Sequence, residues 1–199
     1  MREFLYYSAS APTKGNFGDD LMKAGRLDIA LHTILGAFFI SNNIRDDVVL
    51  HLVFDGRPDP TKHLRLQPSK NTEITLSKKD LLWLIKKLLY KYRPKETHEV
   101  FPGYSIEKKS LTKTLESLED TNEIFLLDYD GEDIREITYE KTPLFVIGDH
   151  DGLPRKELRK LKKKYRTVTV GKPVYLASQV LTIIQNELDR REPQGTNSE

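Results

Sequence analysis

The chain has 199 residues, 38% of them hydrophobic and 31% charged, enough for one domain with a full core or two small ones. It contains no cysteine, which excludes disulfides, cysteinyl zinc sites, iron–sulfur clusters and thiol nucleophiles. It shows no secretory leader, and the run ILGAFFI (34–40) is far short of the ~18 residues of a membrane span, so a cytosolic protein without membrane partners is expected.

Residues 2–10, REFLYYSAS, read as an opening strand, followed by a glycine-bearing loop over 11–21. Apolar residues at Leu27, Ile29, Ala30, Ile34, Leu35 and Phe38 set a helical period over 25–42, with Asn42-Asn43 as its stop. VVLHLVFDG (48–56) is a strand that ends in the turn signal Asp55-Gly56-Arg57-Pro58. A basic stretch over 57–70 reads as a loop, and EITLS (73–77) leads to a helix over 78–92. Ser77 is its expected N-cap, and Leu81, Leu82, Leu84, Ile85, Leu88 and Leu89 are its apolar face. A strand and turn follow over 97–106, then a short helix over 110–120. Residues 123–137 read as a strand, an Asp/Gly turn and an extended piece. The strand 144–147 opens into GDHDGLP, and a lysine-rich helix (about 154–165), a strand (166–171), a loop and a helix (175–191) complete the chain before a polar, frayed tail at 192–199.

Strands that alternate with helices predict an α/β fold with a mostly parallel sheet, whose ligands bind outside the carboxyl ends of the strands. Three loops leave apolar strands in the C-terminal half: DYDGED, GDHDGLP and GKPVYL. The middle one sets Asp149, His150 and Asp151 side by side. In an extended segment, neighbouring side chains point to opposite faces, so these three do not suit one metal ion, and no metal is expected. His150 could titrate in acid/base work, or the polar run could be turn chemistry. A third reading rests on the backbone. Gly148 and Gly152 let a ligand approach main-chain amides, and with the Gly171 loop they could wall a nucleoside cofactor. Neither G-x-G-x-x-G nor G-x-x-x-x-G-K-[ST] is present.

In the N-terminal half Arg26 and Asp28 open a helix, Arg45 lies in the turn after it, and Asp55 and Arg57 stand at a strand end. Each is a candidate for function, against a plain reading as helix-end electrostatics. The net charge is +2, yet cations cluster at 57–70 and 155–166, the latter with eight Lys/Arg in twelve residues. Such clusters serve equally as solvated faces or as phosphate anchors.

A strand, G-D-H-x-G-x-P, a helix, a strand, G-K-x-x-Y-L-A-S and a last helix ending NELDR together resemble the SPOUT class of RNA methyltransferases. The G-R-x-D pair at 25–28, the S-x-x-I-R-x-D turn and the G-x-P-x-P loop narrow the resemblance to the archaeal TrmY family of tRNA pseudouridine N1-methyltransferases, over nearly the whole chain. This resemblance implies a single α/β-knot domain over 1–191, with a C-terminal trefoil knot in about 123–191, S-adenosyl-L-methionine as cofactor, and a homodimer acting on position 54 in the T-arm of tRNA. The implied cofactor pocket falls on Leu127, Gly148, Val170, Gly171, Lys172, Pro173, Val174, Tyr175, Leu176 and Val180. Where many relatives carry cysteine this chain has Val180, which can pack against the cofactor but supplies no thiol. A related ribosomal-RNA pseudouridine methyltransferase family shares R-P-D-I where this chain has Arg26-Leu27-Asp28-Ile29. Ribosomal RNA, or a non-catalytic role in RNA binding or assembly, therefore stands as an alternative.

Methylation of pseudouridine N1 requires alignment and removal of an N–H proton. On this reading Asp28 or Asp55 handles the proton, Arg26 and Arg57 hold base carbonyls or phosphate, and Arg45 is a lesser candidate for backbone contact. The basic stretches would anchor phosphates.

Overall fold

The computed structural model describes residues 1–41, 43–68 and 77–191. The polar tail, most of the 73–77 segment and Asn42 of the proposed helix stop lie outside the described residues. In chain order the elements are β1 (Arg2–Ser8), α1 (Leu27–Phe38), β2 (Phe39–Ile40), β3 (Asn43–Ile44), β4 (Val48–Phe54), β5 (Lys62–Leu66) and α2 (Lys78–Tyr90). Then come β6 (His98–Phe101), β7 (Tyr104–Glu107), α3 (Leu111–Glu116), β8 (Asn122–Asp133), β9 (Thr142–Gly148), α4 (Arg155–Leu161), β10 (Arg166–Thr169) and α5 (Ala177–Arg191).

Eight strands form one sheet in the order β10-β8-β9-β1-β4-β5-β7-β6. The first five are parallel, and β5, β7 and β6 continue the sheet antiparallel. The central parallel strands β1, β4 and β9 are buried on both faces, so they read as near-continuous apolar runs. Phe4, Tyr6, Phe54, Phe125 and Phe145 share one buried core with residues of α1, α2 and α5. Leu5, Tyr7, Val53, Leu126 and Val146 share the other with Leu111 and Leu115 of α3 and Leu161 of α4. Phe125, Phe145 and Phe4 make a row across β8, β9 and β1 with ring centroids 5.4 and 5.9 Å apart.

Several boundaries differ from the sequence reading. The stretch 57–70 is not one loop: it contains β5, whose Leu64 and Leu66 enter the core while His63 and Arg65 take the opposite face. Helix α1 begins at Leu27, because Gly25 and Arg26 are both left-handed, with φ of 61° and 57°. It stops at Phe38, and β2 (Phe39–Ile40) pairs antiparallel with β3 (Asn43–Ile44). Ser77 does precede α2, but its hydroxyl makes no capping bond. The helix expected over 110–120 is short, Leu111–Glu116.

DYDGED is not a simple turn. Strand β8 pairs with β10 through Phe125 and Leu126, releases residues 127–131, and resumes pairing at Glu132 and Asp133. This excursion is a large bulge, and such bulges re-aim side chains at sheet rims. Gly131 is required within it: a Cβ there would stand 2.5 Å from Val168 backbone atoms.

Arg45 is an anchor within the fold. Its guanidinium holds Asp189 of α5 at 2.9 and 2.5 Å, and Arg2 reaches the same carboxylate at 2.6 Å. The three fasten the last helix at the end of the sheet remote from the strand-exit loops.

A buried polar chain crosses the sheet from Glu3 (β1) through His51 (β4) and His63 (β5) to Glu107 (β7), with steps of 2.9, 2.8 and 2.9 Å. Burial, only partly offset by Glu107, pushes His63 down to about 4. A histidine whose folded value is depressed contributes stability that is full above its ordinary value of 6.5 and is lost as pH falls toward 4. Calorimetry is expected to show the melting temperature falling across that window. The loss should be up to roughly 3 kcal/mol, and smaller in His63→Gln.

Candidate cofactor cleft and catalytic pair

The exits of β1, β4, β8, β9 and β10 open at one edge of the sheet, as parallel strand direction dictates. A cleft of about 640 Å³ lies there, within the range of small-molecule sites. The bulge of β8 supplies Leu127, Asp128 and Tyr129, and β9 with its exit supplies Ile147 through Leu153. Val170, Gly171, Pro173, Val174, Tyr175 and Leu176 line the side after β10, while Ile29 of α1 and Val180 of α5 close the floor. Of the ten residues expected at a cofactor pocket, all but Lys172 meet around this one cleft. Asp128, Tyr129, Ile29 and Arg155 join them, and sequence reading missed these because only the bulge and the helix packing bring them in.

Two glycines shape the walls for different reasons. A Cβ on Gly148 would stand 2.6 Å from Gly152 Cα and 2.8 Å from the Leu153 nitrogen. Gly171 has open space around it but a φ of 132°, which side chains rarely adopt.

Asp149, His150 and Asp151 differ from expectation in geometry. A turn closed by Gly152 N–H to the Asp149 carbonyl at 2.9 Å curls the three together, and one donor atom from each lies within 4.8 Å of the others. The buried Asp149 carboxylate accepts from the backbone N–H of Asp151 at 2.9 Å and of Ala9 at 3.2 Å. Its work is to tie the β9 exit to the β1 exit. The run is turn chemistry, one of the readings the sequence leaves open.

Among the four expected catalytic residues, Arg26 and Asp28 form a bidentate pair: Nε and one terminal nitrogen of Arg26 donate to Asp28 at 2.9 Å each. Arg26 is left-handed without being glycine, a costly conformation that clusters at functional sites. The Arg26 hydrogen bond holds the Asp28 carboxyl below the usual carboxylate range, against a smaller opposing effect of burial. Ile29, the next residue, lines the cleft.

Asp55 has other hydrogen-bond partners. Its carboxylate accepts from the Tyr7 hydroxyl at 3.0 Å and the Thr61 hydroxyl at 2.5 Å, on the α3–α4 side of the sheet. Burial and the charge of Asp55 raise the pKa of Glu157 there. Arg57 is exposed, with its carbonyl accepting from Thr13 N–H at 3.1 Å. In the two basic stretches, Lys62 is buried against Asp59, and Lys162, Lys164 and Arg166 are paired with Asp128, Glu119, Glu123 and Glu132. Arg155, Lys156, Arg159, Lys160 and Lys163 remain exposed on or beside α4.

The lining fits a nucleoside cofactor: aliphatic walls, main-chain amides, and glycines at 148, 152 and 171 that leave the backbone bare. Among the described residues no helix is long and apolar enough to cross a membrane.

Comparison with known proteins adds four findings. The model of a family described as "Putative SAM-dependent RNA methyltransferase" matches residues 1–193. The chain is 34% identical over 196 residues to the tRNA (pseudouridine(54)-N(1))-methyltransferase of Methanosarcina mazei, covering 96% of this chain and 92% of that one. It is 30% identical over 201 residues to the protein of the same name from Methanocaldococcus jannaschii, covering 96% and 98%. The crystal structure of Archaeoglobus fulgidus Nep1 bound to S-adenosylhomocysteine aligns at a TM-score of 0.63 and 14% identity, covering 95% of this chain and 97% of that one. At that identity the likeness is one of fold.

Proposed function

We propose, because the chain belongs to the family of S-adenosylmethionine-dependent RNA methyltransferases, that it methylates N1 of pseudouridine 54 in the T-loop of tRNA, the reaction named for its relatives. What supports this reading is a nucleoside-sized cleft lined by Ile29, the residue that directly follows the Arg26–Asp28 pair in α1.

Gly148, Val170, Gly171 and Leu176 would present backbone to the cofactor, with Leu127 and Val180 as apolar contacts. When bound, S-adenosylmethionine supplies a methyl group on a positively charged sulfur. Asp28 accepts the N1–H of the base and takes its proton as the methyl group arrives. Arg26 keeps that carboxylate ionised and aimed, and its remaining N–H groups face a base carbonyl or phosphate. Asp28 is favoured over Asp55 because the next residue of its helix, Ile29, lines the cleft, and Asp55 is not among the lining residues. Drawing the base from its stack costs a few kcal/mol, which phosphate contacts to Arg57 and the exposed cations of α4 would offset.

A homodimer belongs to the same reading. Val174 and Leu176 line the cleft and are 97% and 60% exposed, an apolar rim suited to cover by a second copy.

The test is methyl transfer to a T-arm RNA, read by mass spectrometry of its nucleosides. RNA with pseudouridine at position 54 should gain one methyl group, RNA with uridine there should gain none, and EDTA should change neither result. Equal methylation of the uridine RNA would sink the assignment, and activity on ribosomal RNA alone would move it to the other pseudouridine substrate.

A further inference from the structure

Helix α2 buries Leu81, Leu84, Ile85, Leu88 and Leu89. On its outer side Lys79, Trp83, Lys87 and Tyr90 follow one another at helical spacing, a single stripe of alternating cations and rings. Trp83, the chain's one tryptophan, is 51% exposed and Tyr90 is 62% exposed. The Trp83 ring stacks on Phe101 of β6 with centroids 5.9 Å apart, and Lys87 Nζ lies 5.3 Å from the Trp83 centroid. Phe101 thus holds one face of the indole and leaves it fixed at the surface.

The stripe leads toward the candidate active site. Tyr90 borders a groove of about 310 Å³ together with Lys14, Gly15 and Asn16, which belong to the loop between β1 and Arg26. Lys86 holds Asp19 of the same loop at 2.9 Å. Asp59, two residues past Arg57, forms another rim of the groove.

Charge selects the occupant. Residues 78–95 contain seven Lys/Arg and a single acidic residue, Asp80. Ammonium groups at this density meet phosphates, and aromatic faces stack on bases of any identity. We propose that the outer stripe of α2 is an RNA-docking track. It binds substrate RNA beyond the reacting loop by stacking an unpaired base on Trp83 while Lys79 and Lys87 neutralise phosphates. The inference rests on the reading of this chain as an RNA methyltransferase.

The test compares a full-length tRNA transcript with its isolated T-arm, both carrying the target base. Full-length RNA should quench the fluorescence of the single tryptophan. Trp83→Ala should raise KM for full-length RNA about tenfold with kcat retained, the size expected for one lost base stack. The same variant should treat the T-arm as the unmodified enzyme does, and Trp83→Phe should recover most of the loss. Lys87→Glu should weaken full-length binding and reduce its salt dependence by about one phosphate contact. Unchanged KM in both variants, or equal losses on both RNAs, would overturn the track. So would a change in sedimentation without a change in RNA binding, which would make the face a self-association surface. If the unmodified enzyme methylates no RNA, the functional reading fails by itself, and fluorescence quenching still decides the track.

Discussion

Gly148→Ala is expected to raise the dissociation constant for S-adenosylmethionine at least about 100-fold in calorimetry, close to 3 kcal/mol. The physical reason is confined to the backbone. The added Cβ would stand 2.6 Å from the Cα and carbonyl carbon of Gly152 and 2.8 Å from the Leu153 nitrogen, and none of these can rotate aside. The turn must therefore move as a unit. That motion strains the Asp149 carbonyl bond to Gly152 and the two bonds by which the Asp149 side chain holds residues 9 and 151. Overpacking of this kind costs about 1–3 kcal/mol, and here it falls on the cofactor wall itself. Circular dichroism should show the sheet retained. Gly18→Ala is the control, because nothing lies within 4 Å of the Cβ it would add. Unaltered affinity in Gly148→Ala would remove the β9 exit from the cofactor site.

Arg26→Ala should lower kcat about 100-fold or more, with the cofactor dissociation constant kept within a small factor. Loss of the guanidinium leaves a partly buried Asp28 carboxylate, 24% exposed, with no partner to aim it. Arg26→Lys should rescue little, since an ammonium cannot reproduce two parallel N–H bonds. Asp28→Asn should show a comparable fall in kcat. The Arg26 bond lowers the Asp28 pKa from 3.8, so acidification should produce no loss of activity from Asp28 until the pH is below about 4. Rates within threefold of the unmodified enzyme in Arg26→Ala would exclude the pair from the chemistry.

The centre of the sheet was legible because β1, β4 and β9 are apolar on both faces, and the exits of β4, β9 and β10 carry glycine or aspartate. Strand β5 was hidden because Pro58, Pro60, Lys62 and Arg65 disguise the alternation of Leu64 and Leu66. Its buried polar residues make sense only beside His51, Glu107 and Asp59 from other parts of the chain. The bulge of β8 was hidden because Asp-Gly is an ordinary turn signal, and pairing with β10, about forty residues later, decides otherwise. Arg26 and Asp55 looked equivalent at strand and helix ends. Strand register separates them: Asp55 meets Tyr7 on the α3–α4 side, whereas Arg26 stands at the start of α1 on the other. The left-handed Arg26 has no local marker beyond the glycine before it.

The excursion of β8 also orders events in folding. Residues 127–129 become a wall of the cleft only because residues 125–126 and 132–133 are both held by β10. The opposite wall, after residue 169, is the continuation of β10 itself. One late-synthesised strand thus builds two sides of the same cavity. A chain that has formed β1, β4, β8 and β9 but has not yet seated β10 has a folded core and no place for a nucleoside. Cofactor binding then stabilises only the finished topology, so the ligand acts on the last step of assembly as a ratchet against its reversal.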